Sequence, residues 1–232
     1  MLDFSRFQAL TFDCYGTMID WESGIFSALR PILSAHGATL SDFALLELYS
    51  ELELKAEQGE YQNYRDVLES VVAGFAERLG FTPSPEEIRS LPESVSRWPA
   101  FPDTPAALKR LQTRYQLAVI SNIDDDLFAT SAPKLGVRFE QVVTAQQAHS
   151  YKPSLNNFRL AFQRLGLSPD RILHVGQSVY HDVNPAKSLG MAAVWVKRPS
   201  PRPGAGAAKA ADGRPDLEVG DLATLATLAL RE

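Results

Sequence analysis

The stretch ALTFDCYGT, residues 9–17, determines how the rest of the chain is organised. It predicts a short buried strand over residues 9–12 that stops at the polar residues and the glycine behind it. From residue 21 to residue 79 the apolar residues follow a helical spacing instead, and Gly80 is predicted to end the last of these helices as a C-cap. A helical segment is therefore inserted directly after the first strand.

The second half of the chain alternates apolar strands with helices. A helix that begins at Asp103 or Thr104 is predicted to run to residue 111. Further strands are predicted in QLAVISN, QVVTA, RILHVG and AAVWVK, with helices that begin near residues 124, 154 and 183. The Pro/Gly/Ala-rich segment 199–215 predicts a mobile loop before a last short strand and helix.

This alternation indicates an α/β fold with a Rossmann-like parallel sheet covered by helices on both faces. We expect residues 1–16 and 100–232 to form that core and residues 17–99 to form an all-helical cap. An open α/β sheet binds its ligand beyond the carboxyl ends of its strands, so the insertion is expected to lie over the site.

Composition narrows the class of protein. The 232 residues are 45% hydrophobic and 22% charged, which is ordinary for a globular protein. No apolar run approaches the roughly 18 residues needed to span a bilayer, and no signal peptide is apparent, so we expect no membrane association. The net charge of −5 argues against nucleic acid as a partner. A single cysteine excludes an internal disulfide, and a cytoplasmic location is the default.

Polar residues recur where the predicted strands end. Four loci stand out: Asp13 with Thr17, Ser121 with Asn122, Lys152 before a proline, and the segment GQSVYHD that ends at Asp182. An aspartate is ionised near neutral pH, because its unperturbed pKa is about 3.9, and it can attack an electrophile to form an ester. A nearby lysine would keep it ionised, and a second carboxylate would position or deprotonate a water.

These loci resemble the four motifs of the haloacid dehalogenase superfamily. FDCYGTMID is similar to its first motif, VISN to the second, YKPS to the third and GQSVYHD to the fourth, in the same order along the chain. The resemblance implies a hydrolase in which Asp13 is the nucleophile of a covalent ester intermediate.

Two positions indicate the branch of the superfamily. The magnesium-dependent phosphatases of the superfamily have an acid where this chain has Tyr15, and a Gly-Asp pair where it has Gly176 and Gln177. The pattern resembles instead the type II L-2-haloacid dehalogenases, which need no metal. This resemblance implies displacement of a leaving group, halide first, from C2 of a short 2-substituted carboxylic acid.

Three alternatives remain open at this point. One is a magnesium-dependent phosphatase. Another is the hydrolytic ring opening of L-azetidine-2-carboxylate, the reaction of a subgroup that the chain also resembles. The third is a non-catalytic binding protein on the same fold. The resemblance also allows a homodimer, for which the sequence itself offers no feature.

The predicted site combines these residues. The expected catalytic residues are Asp13, Lys152, Asp182 and Thr17. The expected substrate-binding residues, facing a small anionic carboxylate, are Cys14, Tyr15, Ser121, Asn122, Gln177, Ser178, Trp21 and Arg65. Arg30 is the second candidate, beside Arg65, for accepting halide. No metal ligand or cofactor is predicted, His174 is expected to be structural, and the acidic run 47–60 is expected to be a solvated helix face.

Overall fold

A computed structural model describes residues 2–199 and 206–231, and this part of the chain contains a six-stranded parallel sheet. Its strands are β1 (Ala9–Phe12), β2 (Gln116–Ser121), β3 (Gln141–Thr144), β4 (Ile172–Gly176), β5 (Ala192–Val196) and β6 (Leu217–Val219). The strand order is β3-β2-β1-β4-β5-β6, so the winding reverses between β1 and β4. Such a switch point opens a crevice at the carboxyl ends of the two strands. Both strands carry a predicted catalytic locus there.

Ten helices accompany the sheet within the described residues. They are α1 (Trp21–Ala35), α2 (Asp42–Ala56), α3 (Tyr64–Leu79), α4 (Pro85–Ser94), α5 (Thr104–Leu111), α6 (Asp125–Leu135), α7 (Ala145–Ala148), α8 (Leu155–Leu165), α9 (Asn184–Ser188) and α10 (Leu222–Ala229). A π-helical turn, Val179–Val183, precedes α9. None of the described helices is both long and apolar enough to cross a bilayer.

Helices α1 to α4 form the cap, and local signals define their ends. The side chains of Asp20, Ser41 and Ser84 each accept a backbone N–H in the first turn of α1, α2 and α4. Gly80 ends α3 in the left-handed conformation, at φ 77°, as the sequence predicted. Helix α4 was not predicted, although Ser84 and Glu87 form a capping box at its start.

The two connections between cap and core run side by side. Ile19 makes isolated bridges to Tyr15 and Ala100, and the N–H of Asp20 donates to the carbonyl of Pro99 over 2.8 Å. We predict a core of residues 1–16 and 100–232 and a cap of residues 17–99, and this division stays a prediction. The backbone contacts of Ile19 and Asp20 with residues 99–100 lie at the predicted boundary.

Alternate residues of the strands face two apolar clusters, so both faces of the sheet are covered. Leu10 and Phe12 of β1 belong to a large cluster that extends into the cap helices. Ala9 belongs to a smaller cluster with Phe158 of α8 on the other face. Strands buried on both faces have no polar side to anchor their register. The register is fixed instead by the parallel ladder, in which Phe12 pairs with Val119 and Val175.

Two local predictions need correction. Asp103 precedes α5 but makes no cap hydrogen bond. Its carboxylate accepts from Arg198 over 2.7 Å and from the N–H of Leu222 over 2.8 Å, which ties α5 to the C-terminal part of the chain. Of the predicted mobile loop 199–215, residues 200–205 lie outside the described residues. In the described remainder only Ala207 and Ala208 are buried, whereas residues 199, 209–210 and 212–214 are exposed, so packing on the protein is limited to that pair and the rest of the loop prediction stays a prediction.

Candidate active site

Asp13 follows β1 directly and is the centre of the site. Its N–H donates to the carbonyl of Val175 over 2.9 Å, which extends the pairing of β1 with β4 by one residue. Gly16 adopts φ 94° in the turn behind it, a conformation that favours glycine, and the chain folds back so that Thr17 faces the carboxylate. Thr17 Oγ1 donates to Asp13 Oδ2 over 2.7 Å and Lys152 Nζ donates to Oδ1 over 2.8 Å. Burial raises the pKa of Asp13, and Lys152 opposes that rise.

Lys152 links the nucleophile to the second carboxylate. Its buried ammonium donates to Asp13 Oδ1, to Asp182 Oδ1 over 2.6 Å and to the carbonyl of Ile120 over 2.9 Å. All three of its protons are therefore used. Burial alone would lower the pKa of Lys152, but the two carboxylates outweigh it and hold that pKa above its ordinary value.

Asn122 positions Lys152 through the backbone. Its Oδ1 accepts the N–H of Lys152 over 2.6 Å, and its Nδ2 donates to the carbonyl of Lys152 over 3.1 Å. Both groups of the amide are thereby engaged, so Asn122 holds the lysine in place while it also lines the cavity described below.

Asp182 is buried in the π-helical turn after β4. Besides Lys152, its Oδ1 contacts His174 Nε2 over 3.2 Å, and its Oδ2 accepts the N–H of Ser178 over 3.3 Å. Burial would raise the pKa of Asp182, but Lys152 and His174 outweigh it and hold the pKa below its usual range. His174 Nδ1 in turn lies 2.9 Å from Thr11 Oγ1. We expected His174 to be structural only, but its ring contacts the carboxylate of Asp182 in the site.

A small cavity of about 40 Å³ lies between the cap and the core, beside Asp13. Its lining from the core comprises Asp13, Tyr15, Ser121, Asn122, Lys152, Gln177, Ser178, His181, Asp182 and Ala208. Its lining from the cap comprises Trp21, Glu53, Glu57 and Tyr64. Ten of the twelve predicted site residues therefore lie at this cavity. Nine of them line it, and Thr17 donates a hydrogen bond to Asp13 without lining the cavity itself.

Two polar atoms of the lining are buried without a hydrogen-bond partner among the described residues. These atoms are Ser121 Oγ and His181 Nε2. Burying a polar atom without a partner is costly, so each is suited to meet a ligand or a water. Burial lowers the pKa of His181 to about 4, so its ring is neutral at pH 7.

The cap wall of the cavity is acidic. Glu53 of α2 is 5% exposed, and Tyr49 donates to its Oε1 over 3.0 Å. The hydroxyl of Tyr64 donates to the same oxygen. Burial raises the pKa of Glu53 to about 7 and also raises the pKa of Glu57. The prediction that the run 47–60 is a solvated helix face is therefore wrong for Glu53 and Glu57, which the sequence pattern did not single out.

Two predicted substrate-binding residues lie elsewhere. Cys14 is fully buried in the large apolar cluster, where burial raises the pKa of its thiol. Arg65 is the second residue of α3, and its guanidinium lies on the surface, 2.6 Å from Asp126. Arg30, the other candidate for accepting halide, pairs with Asp42 on the surface. No arginine lines the cavity within the described part of the chain.

The other predicted contacts shape the cavity. The hydroxyl of Tyr15 lies 3.0 Å from the hydroxyl of Ser131, and its ring packs edge-on against Trp98. Burial raises the pKa of Tyr15 well above its ordinary value, so Tyr15 does not serve as a general acid. The carbonyl of Gln177 accepts from the indole of Trp195 over 2.7 Å. Trp21 packs edge-on against Tyr49 of the acidic wall, with ring centres 6.0 Å apart.

The donor set does not suit a magnesium ion. Each carboxylate oxygen of Asp13 and Asp182 already accepts from a protein donor, and Lys152 lies between the two side chains. A hard divalent cation needs anionic oxygen ligands, and Gln177 stands where the related phosphatases supply a further acid. Among the described residues no group of three or more histidine, cysteine or acidic side chains is placed to hold a metal.

The family model of haloacid dehalogenase-like hydrolases matches residues 7–190. The chain belongs to this family. The hydrolase is 24% identical to an (S)-2-haloacid dehalogenase of Pseudomonas fluorescens, over 94% of each chain. It is 26% identical to the haloacetate dehalogenase H-2 of Moraxella sp. (strain B), over 83% of this chain and 87% of the relative. The solved L-2-haloacid dehalogenase of Xanthobacter autotrophicus superposes with a TM-score of 0.80 at 21% identity, covering 96% of this chain and 98% of that one, and shares its fold.

Proposed function

We propose that this hydrolase acts without a metal on short 2-substituted carboxylic acids, through a covalent ester on Asp13. The observation that supports it best is the arrangement around the nucleophile. One oxygen of Asp13 is held by Thr17 and the other by Lys152, in a cavity large enough only for a small molecule. A carboxylate held in this way is aimed at the substrate, and the ammonium beside it favours its ionised form, as in-line displacement requires.

In the first step an oxygen of Asp13 forms a bond to C2 of the substrate while the bond from C2 to the leaving group breaks. The leaving group departs with the electron pair. Ser121 Oγ, which has no partner among the described residues, is placed to donate to the substrate carboxylate. The curated relatives reported above are named as dehalogenases, so halide is the first leaving group to test.

In the second step a water attacks the ester carbonyl, which is the former side-chain carboxyl carbon of Asp13. The bond between that carbon and the bridging ester oxygen breaks, so that the oxygen from Asp13 leaves as the hydroxyl of a 2-hydroxy acid and the oxygen from water restores the Asp13 carboxylate. Asp182 orients the polar network through Lys152, and its lowered pKa makes it a weak base. The neutral His181 Nε2 lines the same cavity and is also a weak base, so Asp182 and His181 take the water proton only as the water attacks, and the departing ester oxygen receives that proton.

The experiment is halide release from (S)-2-chloropropionate and chloroacetate in EDTA, with Asp13→Asn as the control. Release that survives EDTA and disappears in the variant supports the proposal. A matched control is Asp126→Asn, because Asp126 is exposed and outside the cavity. Phosphate release from an aryl phosphate that requires magnesium would contradict it, as would turnover in the Asp13→Asn variant.

A further inference from the structure

Arg198 lies two residues after β5, and its guanidinium reaches the turn that carries the nucleophile. Nε donates to the backbone carbonyl of Thr17 over 3.1 Å, and Nη2 donates to the same carbonyl over 2.7 Å. The side chain is only 9% exposed, so these bonds are largely shielded from water. Arg198 does not line the small cavity beside Asp13, and any effect of it on the reaction must therefore pass through another residue.

The same guanidinium is anchored on residues 101–104, where the chain returns from the cap to α5. Nη1 donates to Asp103 Oδ1 over 2.7 Å, and Nη2 donates to Thr104 Oγ1 over 3.3 Å. The ring of Phe101 lies against the guanidinium, with its centre 4.1 Å from Cζ. Arg198 therefore has a fixed anchor on this return connection and holds the Thr17 carbonyl from there.

Thr17 is the residue through which this restraint reaches the nucleophile. Its hydroxyl donates to Asp13 Oδ2 over 2.7 Å and accepts the N–H of Gln177 over 2.8 Å, while its carbonyl accepts from Arg198. The hydroxyl is one bond from Cβ, so it moves whenever the backbone of Thr17 moves. Gly16, directly before Thr17, has φ 94°, and glycine restrains its own backbone least of all residues. The turn therefore depends on a restraint from outside.

We infer that Arg198 is a positioning residue for the nucleophile: it holds the Thr17 carbonyl and thereby keeps the Thr17 hydroxyl on Asp13. Its role in turnover rests on the proposed Asp13 ester mechanism, whereas its hold on the contact between Thr17 and Asp13 does not. Lysine cannot fully replace it, because a single ammonium lacks the planar fork of donors that reaches Thr17 and Asp103 together. A loosened nucleophile is costly, since a misplacement of about 1 Å lowers a rate by about 100-fold.

The experiment is a double-mutant cycle between Arg198→Met and Thr17→Val, with halide release from (S)-2-chloropropionate as the first readout. If Arg198 acts through the Thr17 hydroxyl, its loss matters in wild type and matters little once that hydroxyl is gone. We expect Arg198→Met to lower kcat by about 10- to 100-fold with KM within about threefold of wild type. Added to Thr17→Val, it should lower kcat by less than about threefold. Arg198→Lys should fall between wild type and Arg198→Met.

Arg114→Met is the matched control. Arg114 also donates to a backbone carbonyl, that of Ala229, over 3.1 Å, and its guanidinium lies over the ring of Tyr115. It does not line the cavity, so its removal should leave kcat within about twofold of wild type. Circular dichroism and urea unfolding show which variants are folded. Arg198→Lys takes the place of Arg198→Met in the cycle if the methionine variant does not fold.

A second readout needs no turnover, namely the titration of the Asp13 carboxyl followed by ¹³C NMR. Its signal is assigned from its absence in Asp13→Asn. Burial raises the pKa of Asp13, and the hydrogen bonds from Lys152 and Thr17 oppose that rise. Loss of the Thr17 bond should therefore raise the Asp13 pKa in Arg198→Met, with no further rise when the change is added to Thr17→Val. Loss of the guanidinium charge alone predicts the same rise in both backgrounds.

The outcomes separate the inference from the function on which its role in turnover rests. Equal fold-losses of kcat in the wild-type and Thr17→Val backgrounds would overturn the inference, because independent effects combine in that way. Wild-type kcat and an unmoved Asp13 titration in Arg198→Met would also overturn it. Wild type that releases no halide would overturn the proposed function, and the Asp13 titration then decides the inference alone. A loss of kcat or a rise in the Asp13 pKa that Thr17→Val abolishes, with Arg114→Met unaffected, supports the positioning role.

Discussion

Thr17 Oγ1 donates to Asp13 Oδ2 over 2.7 Å and accepts the N–H of Gln177 over 2.8 Å. One buried hydroxyl therefore links the turn after β1, which carries the nucleophile, to the loop after β4. The link spans the switch point of the sheet, where a ligand site is expected. Thr17 thus acts through Asp13, as a positioning residue.

Replacing Thr17 with valine should distinguish the role of its hydroxyl in positioning Asp13 from the role of its side-chain volume in packing. Thr17→Val keeps the volume but removes the donor to Asp13 and leaves the N–H of Gln177 without its acceptor. We expect kcat of the Asp13-dependent reaction to fall by about 10- to 100-fold with a smaller change in KM, because a hydrogen bond to a charged group is lost. Thr17→Ser keeps the hydroxyl and should recover most of the activity. A valine variant with wild-type kcat would refute the positioning role.

Lys152 should contribute to stability as well as to chemistry. Lys152→Met leaves Asp13 and Asp182 buried with no cation between them, which should cost about 3–5 kcal/mol of unfolding free energy near neutral pH. Both carboxyl groups then have folded pKa values above their unfolded ones. Their contribution is therefore present at low pH and lost as the pH rises.

Urea unfolding at pH 5 and pH 8 measures this effect. The variant should lose more stability at pH 8 than at pH 5, and its activity should be abolished. Lys187→Met is the matched control, since Lys187 pairs with Asp216 in a partly exposed ion pair worth about 0–1 kcal/mol. Equal stability of the Lys152 variant and wild type at pH 8 would refute the bridging role.

Glu53 should make stability fall as the pH rises. Its pKa is raised from 4.5 to about 7 by burial, so the folded state holds its proton more tightly than the unfolded chain does. The stabilisation is complete below about pH 4.5 and is lost as the pH rises through about 7. Glu53→Gln should remove that loss, which is about 3 kcal/mol for a pKa raised from 4.5 to about 7 at 1.36 kcal/mol per pKa unit.

Thermal or urea unfolding of wild type and Glu53→Gln across pH 4.5 to 8 tests the sign. The slope should be smaller in the variant but not zero, because burial also raises the pKa of Glu57. Glu60→Gln, an exposed change on the same segment, should leave the wild-type slope intact. Parallel curves for wild type and Glu53→Gln would count against a protonated Glu53.

Local sequence signals carried most of the fold and the centre of the site. Asp13, Lys152 and Asp182 each follow an apolar strand or the loop after one, and parallel strands bring such positions to one edge of the sheet. The strand pattern therefore predicts that these three side chains lie together, and in the structure both carboxylates lie within 2.6–2.8 Å of the Lys152 ammonium. The family match over residues 7–190 agrees with this interpretation.

The cap wall could not be predicted in the same way. In α2 the buried residues include Leu45, Leu48 and Leu52 but also Tyr49 and Glu53, so an apolar stripe does not show which acid turns inward. That choice depends on packing against α3, which the spacing of residues in α2 does not encode.

His174 and Arg65 show two further limits. His174 lies inside a strand that reads as apolar, and its contact with Asp182 depends on the π-helical turn after it. Arg65 lies next in sequence to Tyr64, which lines the cavity, but neighbouring residues of a helix point about 100° apart.

Replacing Arg65 tests the geometry of the cap directly. Arg65→Ala breaks an exposed ion pair with Asp126 and touches nothing in the cavity. We expect the unfolding free energy to change by less than about 1 kcal/mol, because exposed pairs are weak. The kcat/KM of the Asp13-dependent reaction should stay within about twofold of wild type, a change of less than about 0.5 kcal/mol in transition-state stabilisation. Arg30→Ala, whose partner Asp42 is also on the surface, should behave alike. A loss of tenfold or more confined to Arg65→Ala would mean that its guanidinium reaches the substrate when the cavity is filled.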